Sequence, residues 1–326
     1  MPISPGANPL KTFRKVLWIG VALLAASFLL PPVFAGDYYI NLASQTLIAA
    51  IFALSLNLLV GFGGMTSLGH ASYLGVAAYI SALLTSRYGF GHGMAAIVSI
   101  AGTTTMAAFF GIIALRATGL GFLMITLALS QVLWGLAYRM SNLTNGDNGI
   151  AGLTRPAPFG ISLDRPASFY WFALIVASFA FLMMATFVSS AFGSSLKGVR
   201  DQPRRMAALG FNPWLVRWIT FIYAGFWGGV SGLLYVYYNK YIHPTSLSTT
   251  SSAEALLGVI AGGSGTLGGP VVGAALVLLL KNYASAYIER WNMLLGLVFL
   301  FIVLVMPTGI VPGLNRLAAT LRRGPR

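Results

Sequence analysis

Apolar runs separated by short polar breaks make up most of this chain, and the runs have the length of membrane-crossing helices. Stretches 16–34, 40–60, 65–85, 93–115, 119–139, 168–190, 217–240 and 291–306 are rich in Leu, Ala, Ile and Gly. They lack strand alternation, and most approach the ~20 residues a helix needs to cross a bilayer. The pattern predicts an all-α integral membrane protein with a single transmembrane domain over 16–307. The run Val16 to Phe34 exceeds the usual ~7–15-residue core of a secretory signal, and Val33-Phe34-Ala35 after Pro31-Pro32 is a poor cleavage site, so it reads as an uncleaved first span.

Segment 253–281 breaks the pattern. Two short apolar pieces, Ala255–Ala261 and Pro270–Leu280, flank a run of glycines from Gly262 to Gly269. Neither piece reaches the length of a full span, and non-helical backbone at membrane depth requires protein or water around it. Ser251-Ser252-Ala253-Glu254 reads as a capping box that opens the first half-helix. The expectation is a broken, re-entrant hairpin. A weak internal repeat accompanies it: Gly63-Gly64-Met65-Thr66-Ser67-Leu68-Gly69 and Gly262-Gly263-Ser264-Gly265-Thr266-Leu267-Gly268 share Gly, Gly, Leu and Gly. Glycine-interrupted elements in corresponding halves mark the central pathway of repeat-built transporters.

One charged island lies between the apolar runs. In Ser195–Pro213, Lys197, Arg200, Arg204 and Arg205 surround Asp201; Pro203 stands in a first helical turn, and Gly210 then Pro213 end the helix. The loop 193–215 is therefore expected to carry a short basic helix over 202–210. A solvated loop near anionic lipid explains the charge equally well, but a mere tether has no need of a capped helix.

Charge placement then sets orientation. Hydrophobic residues make up 57% of the 326 and charged residues only 8%, too few to cover a soluble protein of this size. The net charge of +14 is concentrated at Lys11, Arg14 and Lys15, in the central loop up to Arg217, and at Arg316, Arg322, Arg323 and Arg326. That is the positive-inside pattern, favouring anionic lipid, and no nucleic-acid module accompanies it. The tails 1–15 and 308–326 and the central loop are placed in the cytoplasm, and the polar loop 141–167 outside.

Candidate chemistry is sparse. The carboxylates are Asp37, Asp147, Asp164, Asp201, Glu254 and Glu289; all but Glu254 map to loops or span ends, and Glu254 fits a helix N-terminus. Ion-driven carriers usually place ionisable groups within spans, so coupling to an ion gradient is disfavoured. His70, His92 and His243 are scattered, and no cysteine is present, so neither a metal cluster nor thiol chemistry is indicated. His70 reads first as a packing histidine and second as a substrate contact. No glycine cluster leads into Lys-Ser or Lys-Thr, so a nucleotide site is missing. The chain reads as a conduit rather than an enzyme, binding no cofactor, with its motor supplied elsewhere.

At these residues the chain resembles the permease subunits of bacterial ABC importers for branched-chain amino acids. The resemblance runs from about Tyr39 to Gly313 and rests on Asn57-Leu58-Leu59-Val60-Gly61 with Ser67-Leu68-Gly69-His70-Ala71, then Gly119 to Ala128, Thr144 to Gly152, Leu196 to Gly210, and Glu254 with Gly262 to Gly273. The segments Arg116–Ala128 and Thr144–Gly152 are more similar to the larger of the two permease types. The family implies about eight to ten transmembrane helices, an inner-membrane location, a second related permease, two cytoplasmic ATPases that consume the ATP, and a periplasmic binding protein. Carried over, Lys197, Arg200, Asp201, Arg204, Arg205, Leu209 and Gly210 would couple to an ATPase. Asn57, Gly63, Gly64, Ser67, His70, Glu254, Gly262, Gly263 and Gly268 would line or support the path. Pro203 stands where such permeases commonly carry an acidic residue, leaving Asp201 as the nearest carboxylate. Related permeases carry urea, short amides or other amino acids.

Overall fold

The computed structural model describes residues 36–313 except 161, 288–290 and 307. The basic N-terminal tail, the span expected over 16–34, Glu289 and the arginines from 316 onward lie outside the described residues. Helix α1 (Asp37–Asn57) runs on through a π-turn, Leu58–Phe62. It is followed by α2 (Ala71–Ser86), α3 (His92–Ala114), α4 (Leu120–Arg139) and α5 (Pro166–Ser189). The basic island forms α6 (Ala191–Asp201) and α7 (Pro203–Ala208); α8 (Pro213–Asn239), α9 (Thr249–Gly262), α10 (Gly269–Tyr287) and α11 (Trp291–Val305) follow, and a single helical turn, Ser141–Thr144, lies between α4 and α5. Among the described residues five helices are long and apolar enough to cross a membrane: α1 with its π-turn, α3, α4, α5 and α8. The protein is an all-α, multi-pass membrane protein.

Its two ends are distinct. At one end strand β1 (Ile150–Ala151) pairs antiparallel with β2 (Tyr241–Ile242), Ile150 opposite Ile242. Arg155 fastens this ribbon end by donating to the carbonyl oxygens of Tyr237, Tyr238, Leu163 and Asp164. Its guanidinium also stacks 4.8 Å from the Phe169 ring centroid, a planar cation satisfying loop backbone that would otherwise lack partners. At the other end lie α6 and α7. Helix α8 joins the two ends, and its 27 residues span ~40 Å at 1.5 Å per residue. It occupies the centre, packed on α1, α2 and α3. Its inner face carries Gly225, Gly228, Gly229 and Gly232, small residues that let helices approach without a hydrophobic driving force.

Two expected boundaries are corrected. The span expected over 65–85 becomes helical only at Ala71, because Gly63–His70 returns through the bundle as non-helical chain. Gly64 there takes a left-handed φ of +66°, which ends the helix. The exposed polar backbone is taken up by side chains: Thr126 Oγ1 accepts from Leu68 N at 3.4 Å, and Ser252 Oγ accepts from Ala71 N at 3.0 Å.

The capping box at Ser251–Glu254 is replaced by Ser248, whose hydroxyl accepts from Ser251 N, so α9 begins at Thr249 and Glu254 lies inside it. This helix starts deep in the bundle rather than at its end. Ser130 of α4 donates to the Leu247 carbonyl oxygen, and Ser252 touches the first residue of α2.

Helices α9 and α10 form an antiparallel hairpin. Glu254 sits beside Lys281 and Gly258 beside Val277. A Cβ on Gly273 would strike the Gly258 carbonyl oxygen, so the arms touch backbone to backbone. The arms are longer than the apolar pieces suggest, with 14 and 19 residues. The second therefore nears the ~20 residues of a complete crossing. Its tip lies at the α6 end, where Gly309 and Pro312 return to pack against Gly263.

Candidate functional site

The glycine-rich hairpin tip meets the π-turn at the end of α1, just before Gly63. Asn57 Nδ2 donates to the Thr266 carbonyl oxygen at 2.8 Å, and Gly265 N donates to Asn57 Oδ1 at 2.9 Å. Both faces of one buried amide thus hold the hairpin tip. A Cβ on Gly61 would run into the Gly265 backbone nitrogen, so the contact exists only because position 61 has no side chain. The tip is further tied by Thr266, whose hydroxyl accepts from Gly269 N at 3.0 Å and donates to the Gly263 carbonyl oxygen.

The basic segment reaches this glycine junction from below. Its expected helix over 202–210 is six residues long, Pro203–Ala208, and follows a separate amphipathic helix, α6, broken at Gln202. Pro203 does occupy the first turn, and Gly210 takes φ +88°. Gly193, Leu196 and Val199 bury the inner face of α6, and Met206 of α7 lies over Gly198, folding the two helices together.

The charged residues divide into two sets. Arg200 Nη1 donates to the Gly61 carbonyl oxygen at 2.7 Å, and its stem lies against Gly64. Arg200 also pairs with the exposed Asp201 at 2.8 Å. The surface pair contributes ~0–1 kcal/mol, the charged hydrogen bond to backbone ~1.5–3, so the inward link dominates. Lys197 lies over the Phe62 ring at 5.5 Å and donates to Val188 at 3.4 Å. Burial, then the neighbouring Arg200 charge, lowers its ammonium below the ordinary value. Arg204, Arg205, Leu209 and Gly210 are exposed instead, with Leu209 68% accessible and Phe211 beside it 44%.

A cavity of about 470 Å³ lies on the other side of the junction, between α1, α8 and the hairpin. Part of its wall is apolar, with Ile48, Phe52, Leu74, Gly258, Ala274 and Val277. Part is polar, with Gln45, Tyr238, Asn239, Glu254, Lys281 and Asn282. Gln45 Nε2 donates to the Tyr238 hydroxyl at 3.0 Å, and Lys281 Nζ to Glu254 Oε2 at 3.2 Å. Glu254, the carboxylate set apart in the sequence, lies in the second turn of α9, outside the five spans, and borders this space.

The remaining residues singled out in sequence have other settings. His70 is wholly buried; its Nε2 lies 2.7 Å from Ser55 Oγ, and its ring sits between Phe52 and Tyr73 at 5.2 and 5.3 Å. It packs the bundle and does not border the cavity. Buried Ser67 accepts from Gly69 N at 3.3 Å. Gly63 packs on Met65, Gly262 and Gly263 form the inner tip of the hairpin, and Gly268 faces open space. Lys281 and Gln45 carry no site signal of their own in the sequence, and Ser252 stands there only within the expected capping box. The one clue is position: Lys281 closes an apolar run facing Glu254 across the break.

A multi-pass helical bundle with a glycine junction, a basic segment beneath it and a cavity above defines a membrane permease. Residues 38–304 match the family model described as branched-chain amino acid transport system / permease component, and the chain belongs to that family. It is 23% identical to the high-affinity branched-chain amino acid transport system permease protein LivM of Escherichia coli (strain K12), over 95% of this chain and 78% of that protein. The LivM of Salmonella typhimurium gives the same identity and coverage. LivH of Escherichia coli (strain K12) is 24% identical over 47% of this chain and 49% of its own. No solved structure matches the chain.

Proposed function

We propose that this chain is the LivM-type permease subunit of an ATP-driven importer of branched-chain amino acids in the bacterial inner membrane. It works beside a second, LivH-like permease, takes substrate from a periplasmic binding protein at the ribbon end, and docks cytoplasmic ATPases at the other. The chain itself holds no nucleotide and performs no hydrolysis.

The observation that carries this reading is the hydrogen bond from Arg200 to the Gly61 carbonyl oxygen. It joins a basic, outward-facing segment, useful to a soluble partner, with the glycine junction inside the bundle. Closure of an ATPase dimer would grip Arg204, Arg205 and Leu209 and shift α6 and α7. Arg200 would carry the shift to Gly61, and the Gly61–Gly265 contact would pass it to the hairpin bordering the cavity. Alternating access then follows from two arrangements of that hairpin, whose populations the ATPase biases. Substrate arrives already selected, so the cavity has no need of tight binding.

The test is leucine uptake into proteoliposomes that hold both permeases, the ATPases and the binding protein. Uptake should require ATP on the ATPase side and ignore imposed ion gradients. Uptake driven by a proton or sodium gradient without nucleotide overturns the reading, and would recast Glu254 as an ion relay.

A further inference from the structure

We infer that the cavity above the hairpin holds a free α-amino acid, with Glu254 taking its ammonium, Lys281 its carboxylate, and the apolar wall its aliphatic side chain. The inference rests on the importer reading and adds the residues that recognise the cargo.

Its first support is the split polarity of one space. One part of its wall carries opposite charges on facing arms of the hairpin, 3.2 Å apart. Other parts of the same wall are built from Ile48, Phe52, Leu74, Ala274 and Val277. A zwitterion with a branched side chain has that same division, two opposite charges on one carbon and hydrocarbon beyond. Urea and short amides bear no charges for Glu254 and Lys281 to recognise. The volume of about 470 Å³ falls among ligand pockets.

The second support is that the pair is not sealed in the bundle. Glu254 is 20% and Lys281 49% accessible in their side chains, so both groups can be reached from the cavity. A ligand entering between them exchanges their ion pair for two charge-assisted hydrogen bonds. Neither arm alone could provide both charges. The clamp exists because the glycine contacts at Gly258 and Gly273 hold the arms side by side.

The third support is location. Glu254 lies on the same helix that ends at Gly262 beside the junction, so a movement of the tip reaches the clamp along one rigid element. Parting the arms would separate the charges and release the cargo. Gln45 and Asn239, on α1 and α8, remain as polar contacts at the rim.

The experiment uses the complete transporter in proteoliposomes. Glu254→Gln and Lys281→Gln should each raise the KM for leucine uptake roughly tenfold or more, with kcat falling less. Glu254→Asp, which keeps the charge, should recover most of the loss. Because the chain has no cysteine, Ala255→Cys on the cavity wall gives a clean second measurement in an otherwise native protein. Leucine supplied with the binding protein should slow its modification by a charged thiol reagent several-fold, and should leave exposed Ile260→Cys unaffected. KM values within twofold of the native complex for both Gln variants overturn the clamp, as does unprotected Ala255→Cys. Uptake that needs no ATP overturns the importer reading instead, while the protection result still judges the cavity.

Discussion

Asn57 holds Gly265 from across the bundle: its amide oxygen accepts the Gly265 N–H at 2.9 Å while its amide nitrogen donates to the next residue, Thr266, at 2.8 Å. One side chain therefore reads a donor and an acceptor on the glycine-rich tip in a fixed order. Only an amide of this length offers both, and it fixes the end of α1 to the hairpin tip, beyond the apolar packing of Ala53 and Leu56 on Val259 and Ala274.

Replacing Asn57 with Ala should lower the thermal stability of the purified permease by about 2 kcal/mol, for two hydrogen bonds worth ~1 kcal/mol each. Asn57→Asp should be no better, since a carboxylate still accepts from Gly265 but faces the Thr266 carbonyl oxygen with no donor. Thermal unfolding in detergent checks both. Native stability in either variant would show that the clamp contributes nothing.

Gly61→Ala tests the close approach of the π-turn to the hairpin tip. The added methyl meets the Gly265 backbone, so insertion should proceed while leucine uptake is largely lost. Gly135→Ala on α4 is the control, because a Cβ there meets nothing within 4 Å; uptake should stay at the native level. The measurement is uptake normalised to the amount of protein in the membrane.

Arg200→Lys separates charge from geometry. Lysine keeps the cation but lacks the guanidinium fork that reaches Gly61 while pairing with Asp201. The ratio of ATP hydrolysed to leucine moved should rise, with complex assembly intact. An unchanged ratio would remove Arg200 from the coupling route.

Arg204 and Arg205 are the outward half of the same segment. Changing both to Glu should abolish co-purification of the ATPase, or leave hydrolysis running without uptake, and should not alter membrane insertion. Coupled transport at the native rate would mean that the exposed arginines serve only lipid.

Much of the fold was legible because a membrane makes apolar length an almost direct record of helices. The stretches 93–115, 119–139, 168–190 and 217–240 became α3, α4, α5 and α8 to within a few residues. What escaped was set by contacts between distant segments. The start of α2 moved to Ala71 because Thr126 and Ser252 take up the polar backbone of the returning chain. Glu254 resembled a capping residue locally, yet Ser248 caps the helix and Lys281, 27 positions away, pairs with the carboxylate. The basic segment was visible as charge, but that Arg200 turns inward while Arg204 and Arg205 turn outward depends on α6 packing against the π-turn. Glycine spacing pointed to Gly63–Gly69 and Gly262–Gly268; it is Gly61, just before the first of these, that the fold brings onto Gly265.

The most direct measurement places one cysteine at Ser264, exposed at the hairpin tip and free of the Asn57 clamp, and follows its modification in the complete transporter. Trapping the ATPases in the ATP-bound state should change the rate roughly fivefold or more, a typical coupling between distant sites, and Arg200→Ala should erase that difference. Equal rates in the nucleotide-free and ATP-bound states would contradict transmission of the power stroke from the basic segment to the glycine junction.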